Sequence, residues 1–391
     1  MLTLIILAIK PNRMEGNSMV ITKRLNWSQR MVDSVIERRP LLSEGVYQDK
    51  WSYDYGVVLK GTELVWRQTG DSKYFDYMKK NMDAFIDEEG NIREYHLEHF
   101  NIDHINNGKV LITLYEETKD QRYKNAIDLL RRQLRFHPRT SEGVFWHKKV
   151  YPFQIWLDGL YMGAPFYAEY IKRYGEEEEF DDVTKQYLLC VKNTKDHETG
   201  LLYHAFDEKK VQLWCNPITG HSKNFWGRSM GWFVMGLVDT LSLLPETHRD
   251  YPKLVSILEE TLIALKNVQD KESSVWYQVL DQGGRKGNYL EASGSSMILY
   301  AMAKGVRLQL LDESWLEIAK TTYNGIMDEF ISVTQEGLVN LNKNCQVAGL
   351  GGPDKRDGTF EYYISEPIIT NDLKGVGAFI LATAEMEGNF L

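Results

Sequence analysis

Two kinds of helical segment alternate along this chain. The first kind is rich in Gly, Ala and Ser and apolar almost all round, at 55–67, 102–116, 158–173, 227–244, 292–309 and 372–386. The second kind has one charged face, at 26–38, 72–86, 120–135, 179–193, 251–268 and 313–331. A helix that is apolar all round is buried on both sides, whereas a one-sided helix covers it from outside. The pattern therefore predicts six inner and six outer helices.

Polar turn phrases recur between these segments at a spacing of about 50 residues, which is typical of repeated helical hairpins. An open solenoid of such hairpins would need polar capping faces on its terminal repeats. The last inner segment, 372–386, is instead as apolar as the central ones. The sequence therefore favours an all-α fold, a closed (α/α)6 barrel, over an open helical solenoid.

No linker rich in Pro or Ser divides the chain, so we expect residues 21–391 to form a single domain. Residues 1–20 are predicted to be a disordered N-terminal extension, with Met14 and Met19 as alternative start sites. The apolar residues at its beginning are too few to span a bilayer. They also lack the basic region that precedes the apolar core of a secretory signal, although such a signal remains the alternative.

The composition limits the partners of this protein. Lys and Arg number 46 against 55 Asp and Glu, so the net charge of −9 argues against binding to nucleic acid. We expect no membrane partner either, and an anionic ligand must meet individual Arg, Lys or His side chains. The three cysteines, Cys190, Cys215 and Cys345, are odd in number and share no metal spacing, which favours reduced thiols in a cytoplasmic protein.

Asp158 is the most informative single residue, because it begins an apolar inner segment among Trp156, Tyr161 and His147. Burying an unpaired carboxylate is costly, and an apolar pocket favours the protonated form that a general acid needs. The alternative is that Asp158 only caps the helix, since Asp is a favoured N-cap. The aromatic neighbours favour a catalytic pocket of sugar size.

Other distinctive residues also lie at or just before the starts of inner segments. If the inner helices run parallel, these residues reach one rim together with the loops 270–290 and 342–367. Independent helix caps would explain the Asp and Ser residues among them but not the Trp, His and Arg residues. The set comprises Trp51, Tyr53, His99, Asp103, Trp156, Trp226, Arg228, Trp232, Glu291, Ser293, Asn371 and Asp372.

Asp103 is the second candidate carboxylate, as the base of an inverting glycosidase or as a group that orients substrate or water. A metal site at His99, Asp103 and His104 is a weaker alternative because no third His is near. We therefore expect no metal and no cofactor. His204 is predicted to point into the mouth of the barrel, with a surface position as the alternative. A buried Arg228 needs a carboxylate, from the substrate or from the protein.

Four phrases of the sequence, at 151–163, 199–208, 225–232 and 370–382, resemble the unsaturated rhamnogalacturonyl hydrolases of glycoside hydrolase family 105. The resemblance runs from about Trp51 to the C-terminus. The related unsaturated glucuronyl hydrolases of family 88 are similar in fold and share the Asp pair, but they match the flanking phrases less well.

The resemblance implies an (α/α)6 barrel that removes a 4,5-unsaturated uronic acid from the non-reducing end of a pectin-derived oligosaccharide. It implies that Asp158 protonates C4 of the double bond and then assists the addition of water at C5. Asp103 would orient the substrate. Substrate-binding positions would be Tyr53, His147, Lys148, Trp156, His204, Arg228 and Trp232. The sequence departs from the family at Ser52 and Asp54 and across 94–109 apart from Asp103, which leaves the aglycone open.

Two other classes of function stay open on the sequence. The first is another barrel enzyme acting on sugars, either an inverting glycosidase or an epimerase. An epimerase would need His bases that face each other across the barrel, and His204 is the only strong candidate. A non-catalytic helical scaffold would have no need of Asp158 in an apolar setting.

Overall fold

The computed structural model describes residues 26–44 and 49–391. The predicted extension, residues 1–20, lies outside this range. The inner helices are α2 (Tyr53–Thr69), α4 (Gly108–Thr118), α6 (Leu157–Tyr174), α8 (Gly227–Leu241), α10 (Ala292–Arg307) and α13 (Leu373–Asn389). The outer helices are α1 (Trp27–Arg38), α3 (Ser72–Asp83), α5 (Gln121–Phe136), α7 (Phe180–Thr194), α9 (Tyr251–Asn267) and α11 (Trp315–Phe330). All twelve predicted helices are present.

The inner helices form a closed ring. Each packs against its neighbours in chain order, and α13 packs against both α10 and α2. Helices α13 and α2 approach each other closely because both have glycines at the contact. A Cβ built on Gly377 would lie 2.6 Å from the backbone carbon of Val57, and one built on Gly61 would lie 2.9 Å from Cβ of Ile380. The predicted (α/α)6 barrel is therefore confirmed.

The second inner helix begins later than predicted. Residues Ile102–Ile105 form a separate 3-10 turn, and α4 starts only at Gly108. Between them, the side-chain amides of Asn106 and Asn107 donate to the backbone oxygens of Tyr53 and Ser52, at 2.9 and 3.0 Å. Asparagine side chains that bond to backbone compete with helix formation. This bonding attaches the start of α4 to the start of α2.

Short strands and one further helix lie in the connections between the barrel helices. Strand β1 (Gln154–Trp156) pairs with β2 (Ala205–Asp207), β3 (Ile331–Val333) with β4 (Val339–Leu341), and β5 (Asn344–Cys345) with β6 (Ile368–Ile369), all antiparallel. Helix α12 (Phe360–Ser365) lies in the loop before β6. Among the described residues, none of the helices has the length and apolar character needed to cross a membrane.

Candidate active site

A cavity of about 730 Å³, partly open to solvent, lies at the end of the barrel where α2, α6 and α8 begin. Its wall contains eight of the nine side chains predicted from the sequence to form the site. These are Tyr53, Asp103, His147, Lys148, Trp156, Asp158, Arg228 and Trp232. The parallel inner helices therefore bring residues that are far apart in sequence to one mouth.

Asp158 is the second residue of α6, and it does not cap this helix. The N-cap position belongs to Trp156, which makes no side-chain capping bond. The Asp158 side chain is 15% exposed, and its Oδ2 lies 3.3 Å from Nε2 of His204. Neither of these two atoms has a hydrogen-bond partner in the described part of the chain. Asp158 thus presents its carboxyl group to the cavity, and this group is not needed to cap the helix.

Strand pairing brings His204 to Asp158. Trp156 of β1 is opposite Ala205 of β2, and the backbone N–H of Leu157 donates to the carbonyl oxygen of His204 at 3.1 Å. The His204 ring is fully buried, and its Nδ1 lies 2.7 Å from the hydroxyl oxygen of Tyr363. We expected His204 to point into the mouth of the barrel. The structure instead places it behind Asp158.

Asp103 forms a second charged group with its neighbours. Its Oδ2 lies 2.7 Å from Nζ of Lys148, and its Oδ1 lies 3.4 Å from Nε2 of His147. Burial alone would raise the pKa of Asp103, but Lys148 and His147 outweigh it and hold the pKa below the ordinary value. Burial also opposes the charge on Lys148, yet Asp103 raises the pKa of that amine. Burial lowers the pKa of His147 to about 4, so this ring is neutral at neutral pH.

Glycines in α6 allow the turn that carries Asp103 to approach the helix that carries Asp158. A Cβ on Gly163 would lie 2.9 Å from Cδ1 of Ile102, and one on Gly159 would lie 3.1 Å from Nδ1 of His147. A larger residue at either position would push the 3-10 turn or the His147 ring away. The spacing of the two candidate carboxylates thus depends on these close contacts.

Aromatic rings form much of the remaining wall. Trp156 stacks with His147 at a centroid distance of 4.7 Å and with Tyr151 at 5.2 Å. Trp232 contacts the Tyr53 ring edge-to-face at 6.4 Å and stacks on Tyr161 at 4.7 Å. Flat apolar faces beside carboxylates and cations are suited to a sugar ring that carries a charge.

Arg228 finds its carboxylate within the protein. It is 1% exposed, and its Nη2 lies 3.7 Å from Oε1 of Glu291. Its Nε donates to Oγ of Ser293 at 2.8 Å, and Nη2 also donates to the carbonyl oxygen of Cys345. Burial disfavours this charge, but Cys345 and the acidic neighbours raise the pKa of Arg228. Arg228 therefore links the start of α8 to the start of α10 and to β5.

Sequence reasoning missed Arg356, which also lines the cavity. Arg356 follows the glycine-rich segment 348–353, and its guanidinium lies over Gly349, where a Cβ would meet Nη1 at 2.5 Å. Backbone hydrogen bonds in both directions join Arg356 to Gly351. Val347, Ala348 and Gly349 complete this part of the wall. The glycines alone were too weak a signal because no phosphate-binding helix follows them.

The two loops expected at the mouth differ in their roles. The 342–367 loop supplies the cavity residues just described, whereas no lining residue in the described chain comes from 270–290. Glu291, directly after that second loop, lies behind the wall and caps α10 by accepting from the backbone N–H of Gly294 at 2.7 Å. Tyr151 and Trp226 line the cavity although neither was assigned a binding role.

The alternative metal ligands His99, Asp103 and His104 do not converge. His99 is exposed and lies against His96, while burial lowers the pKa of His104 to about 4. Within residues 26–44 and 49–391, the His and acidic side chains close enough to share an ion are Asp181, His248 and Asp250. That group is outside the cavity, and its carboxylates already pair with Arg249 and Lys253.

The fold and the cavity together define an (α/α)6-barrel enzyme that acts on carbohydrate. Residues 27–390 match the sequence profile of Glycosyl Hydrolase Family 88. A solved glycoside hydrolase from family 105 of C. acetobutylicum ATCC 824 is 56% identical, with a TM-score of 0.90, and the match covers 93% of this chain and 99% of that one. The chain belongs to this group of glycoside hydrolases, families 88 and 105.

Two curated relatives are more distant. Protein Atu3128 of Agrobacterium fabrum is 36% identical over 232 residues, which cover 57% of this chain and 97% of that protein. The unsaturated rhamnogalacturonyl hydrolase YesR of Bacillus subtilis is 28% identical over 293 residues, which cover 73% of this chain and 79% of that protein. The family resemblance stated from the sequence is confirmed.

Proposed function

We propose that this enzyme releases a 4,5-unsaturated uronic acid from the non-reducing end of rhamnogalacturonan oligosaccharides produced by pectin lyases. The observation that carries the proposal is the Asp158 carboxyl group, which lines the aromatic cavity and takes no part in capping α6. An acid that must donate a proton to carbon needs a carboxyl group that lies against the substrate. The activity named for YesR, at 28% identity, supports the choice of substrate.

Asp158 acts first as acid and then as base. The protonated carboxyl group transfers its proton to C4 of the enol ether, and positive charge develops at C5 and the ring oxygen. Water adds at C5 while the Asp158 carboxylate takes up the proton that the water loses, which restores the acid. The resulting hemiketal rearranges and the glycosidic bond opens. Positioned proton transfer of this kind typically contributes ~10²–10⁴-fold to the rate.

Asp103 has a different role because its environment favours the charged form. With Lys148 and His147 beside it, this carboxylate stays ionised and accepts hydrogen bonds from substrate hydroxyls. His204 lies against the Asp158 side chain from behind, and Tyr363 orients the His204 ring. Because the two carboxyl groups have different surroundings, Asp158 can act as the acid while Asp103 orients the substrate.

Arg356 is the cation in the wall that we assign to the substrate carboxylate. Lys148 is paired with Asp103 and Arg228 with Glu291, whereas Arg356 forms no ion pair with any described residue. Arg228 supports this binding indirectly, because it holds the backbone at Cys345 and Gln346 that leads into the Arg356 loop. Of the two carboxylate partners expected for Arg228, one from the substrate and one from the protein, these contacts favour the one from the protein.

The experiment compares an unsaturated rhamnogalacturonan disaccharide with its saturated counterpart. We expect loss of the ultraviolet absorbance of the conjugated double bond with the first and no cleavage of the second. In deuterium oxide the released acid should carry one deuterium at C4. Cleavage of the saturated disaccharide, or a product without deuterium at C4, would instead identify a glycosidase that acts at the anomeric carbon.

Neither a metal nor a cofactor enters this mechanism, so dialysis against EDTA should leave the rate unchanged. A loss of activity that added metal ion restores would contradict it.

We also propose that the enzyme works in the cytoplasm on imported oligosaccharides. Cys190, Cys215 and Cys345 are all buried free thiols, and burial raises the pKa of Cys190 to about 12, as expected of unreactive core residues.

A further inference from the structure

A second cavity, of about 790 Å³, lies further along the barrel, mostly between the C-terminal halves of the inner helices. Lys109, near the start of α4, and Tyr161 of α6 form its inner part. Tyr161 lines it, and this ring stacks on Trp232, which lines the candidate active site. The stacked pair separates the two cavities along the barrel axis. An occupant of the second cavity would therefore not touch Asp158.

The wall of the second cavity is charged. Five cations and four carboxylates line it, namely Lys60, Arg67, Lys109, Lys304 and Arg307 with Glu63, Glu169, Asp239 and Glu385. Glu63 pairs with Lys60 and Arg67, Asp239 with Lys304, Glu385 with Arg307, and Glu169 with Arg173 outside the wall. Each carboxylate thus already has a cation.

Lys109 is the cation left over. It is 3% exposed, and no described carboxylate lies within ion-pair distance of its Nζ. Nζ is 3.5 Å from the backbone oxygen of Tyr161 and 3.6 Å from the centroid of the Tyr161 ring. These contacts compensate only part of the cost of burying an ammonium group. An anionic ligand in the cavity would supply the counter-ion that the protonated amine lacks.

We propose that this second cavity binds a small, singly charged, polyhydroxylated acid, such as a uronic or aldonic acid, with its carboxylate on Lys109. One surplus positive charge matches one carboxylate, because each acidic group of the wall already has a cation of its own. Hydroxyl groups of the ligand can donate to the carboxylate oxygens of the wall and bond to the Tyr300 hydroxyl. The inference does not depend on the proposed reaction.

Binding should be coupled to proton uptake. Burial lowers the pKa of Lys109 to about 7, with Asp239 and Glu169 opposing and Lys60 and Lys304 adding to this effect. Glu385 of α13 completes the charged groups around the cavity. The bound carboxylate favours the ammonium form, so affinity should fall by about tenfold between pH 6 and pH 8.

The test is a calorimetric titration with D-galacturonate, and with D-galactose as the uncharged control. Lys109→Met should weaken galacturonate binding by about tenfold or more, because a charge-assisted hydrogen bond is lost. Lys109→Arg should retain binding without its pH dependence. Lys172→Met, at an exposed position that lines neither cavity, should leave this binding intact. Melting temperatures establish that each variant is folded.

Three results would overturn the proposal. Galacturonate could bind equally to wild type and Lys109→Met, galactose could bind as well as galacturonate, or wild type could bind neither sugar. Loss of binding in Arg356→Met, a variant of the other cavity, with no change in Lys109→Met would assign the ligand to the candidate active site alone.

Discussion

At the scale of single residues, the facing atoms of Asp158 and His204 are the chemically distinctive feature of this protein. Oδ2 of Asp158 and Nε2 of His204 are 3.3 Å apart, and neither has a hydrogen-bond partner among the described residues. Buried polar atoms are seldom left without a partner, and exceptions in enzymes often have catalytic roles. Asp158 also contributes no cap to α6. Its replacement should therefore affect chemistry much more than folding.

Asp158→Asn should lower kcat by ~10²–10⁴-fold or more, because an amide cannot donate a proton to carbon. The melting temperature should stay close to that of wild type. Initial rates with the unsaturated disaccharide and calorimetric melting measure the two quantities. A variant that keeps a quarter of the wild-type rate would rule out Asp158 as the acid.

Arg228 and Arg356 should respond differently to truncation. Arg356→Ala should reduce kcat/KM by about 10–150-fold with little change in melting temperature, because it loses a charge-assisted bond to the substrate. Arg228→Ala leaves Glu291 buried and unpaired, so it should destabilise the fold by about 3–5 kcal/mol.

Urea unfolding and steady-state kinetics on both variants distinguish these roles. If Arg228→Ala kept wild-type stability and lost kcat/KM, while Arg356→Ala changed neither quantity, Arg228 would be the group that binds the substrate carboxylate.

At the scale of elements, closure of the inner ring depends on how near α13 comes to α2. The glycine at 377 allows this approach, because a methyl group there would meet backbone atoms of Val57 and Val58 at 2.6 and 2.7 Å. Backbone cannot move aside as a flexible side chain can. Gly388 in the last turn of the same helix differs, since the atoms nearest to a methyl group there belong to the flexible Gln68 side chain.

Gly377→Ala should therefore destabilise the protein by about 1–3 kcal/mol through overpacking. Gly388→Ala is the matched control, and its better helix propensity should leave stability unchanged or raise it by up to about 1 kcal/mol. Urea unfolding of both variants measures the difference. Equal stability of the two would mean that α2 and α13 can separate without cost.

At the scale of the whole molecule, the barrel has two chemically different ends. The end where the inner helices begin holds the aromatic cavity with Asp158, and the other end holds the charged cavity with Lys109. Several histidines are buried as well, and burial lowers the pKa of His104, His137 and His147 to about 4 in each case. These histidines are therefore neutral in the folded protein at neutral pH.

Stability should therefore fall as the pH decreases from about 6.5 to about 4. In this range the unfolded chain binds protons that the folded protein excludes, and each of these histidines costs up to about 3 kcal/mol. Above pH 6.5 histidine is neutral in both the folded and the unfolded state, so this loss of stability does not occur there.

His137→Gln should make the pH dependence of the unfolding free energy shallower by up to one proton. His137 is buried and lies outside the cavity, and His197, which is exposed, provides the control variant His197→Gln with an unchanged slope. Equal slopes for both variants would show that His137 titrates normally in the folded protein.

The sequence by itself determined the number, order and kind of the barrel helices. The period of apolar positions separates inner from outer helices regardless of what each one contacts, so segments such as 292–309 and α10 (Ala292–Arg307) agree closely. The same pattern located seven residues of the cavity wall, because parallel inner helices present their first turns at one end. They are Tyr53, Asp103, Trp156, Asp158, Trp226, Arg228 and Trp232. Asp158 was identifiable because a carboxylate interrupts an apolar and aromatic stretch.

The tertiary structure alone decided which groups these residues meet. The Glu291 partner of Arg228 is far away in sequence, and so are the Tyr363 partner of His204 and the loop that brings Arg356 to the wall. The late start of α4 likewise depends on amide bonds from Asn106 and Asn107 to α2. Helix periodicity is a local property of the chain, whereas ion pairs and buried hydrogen bonds form only once ring closure and strand pairing have brought distant segments together.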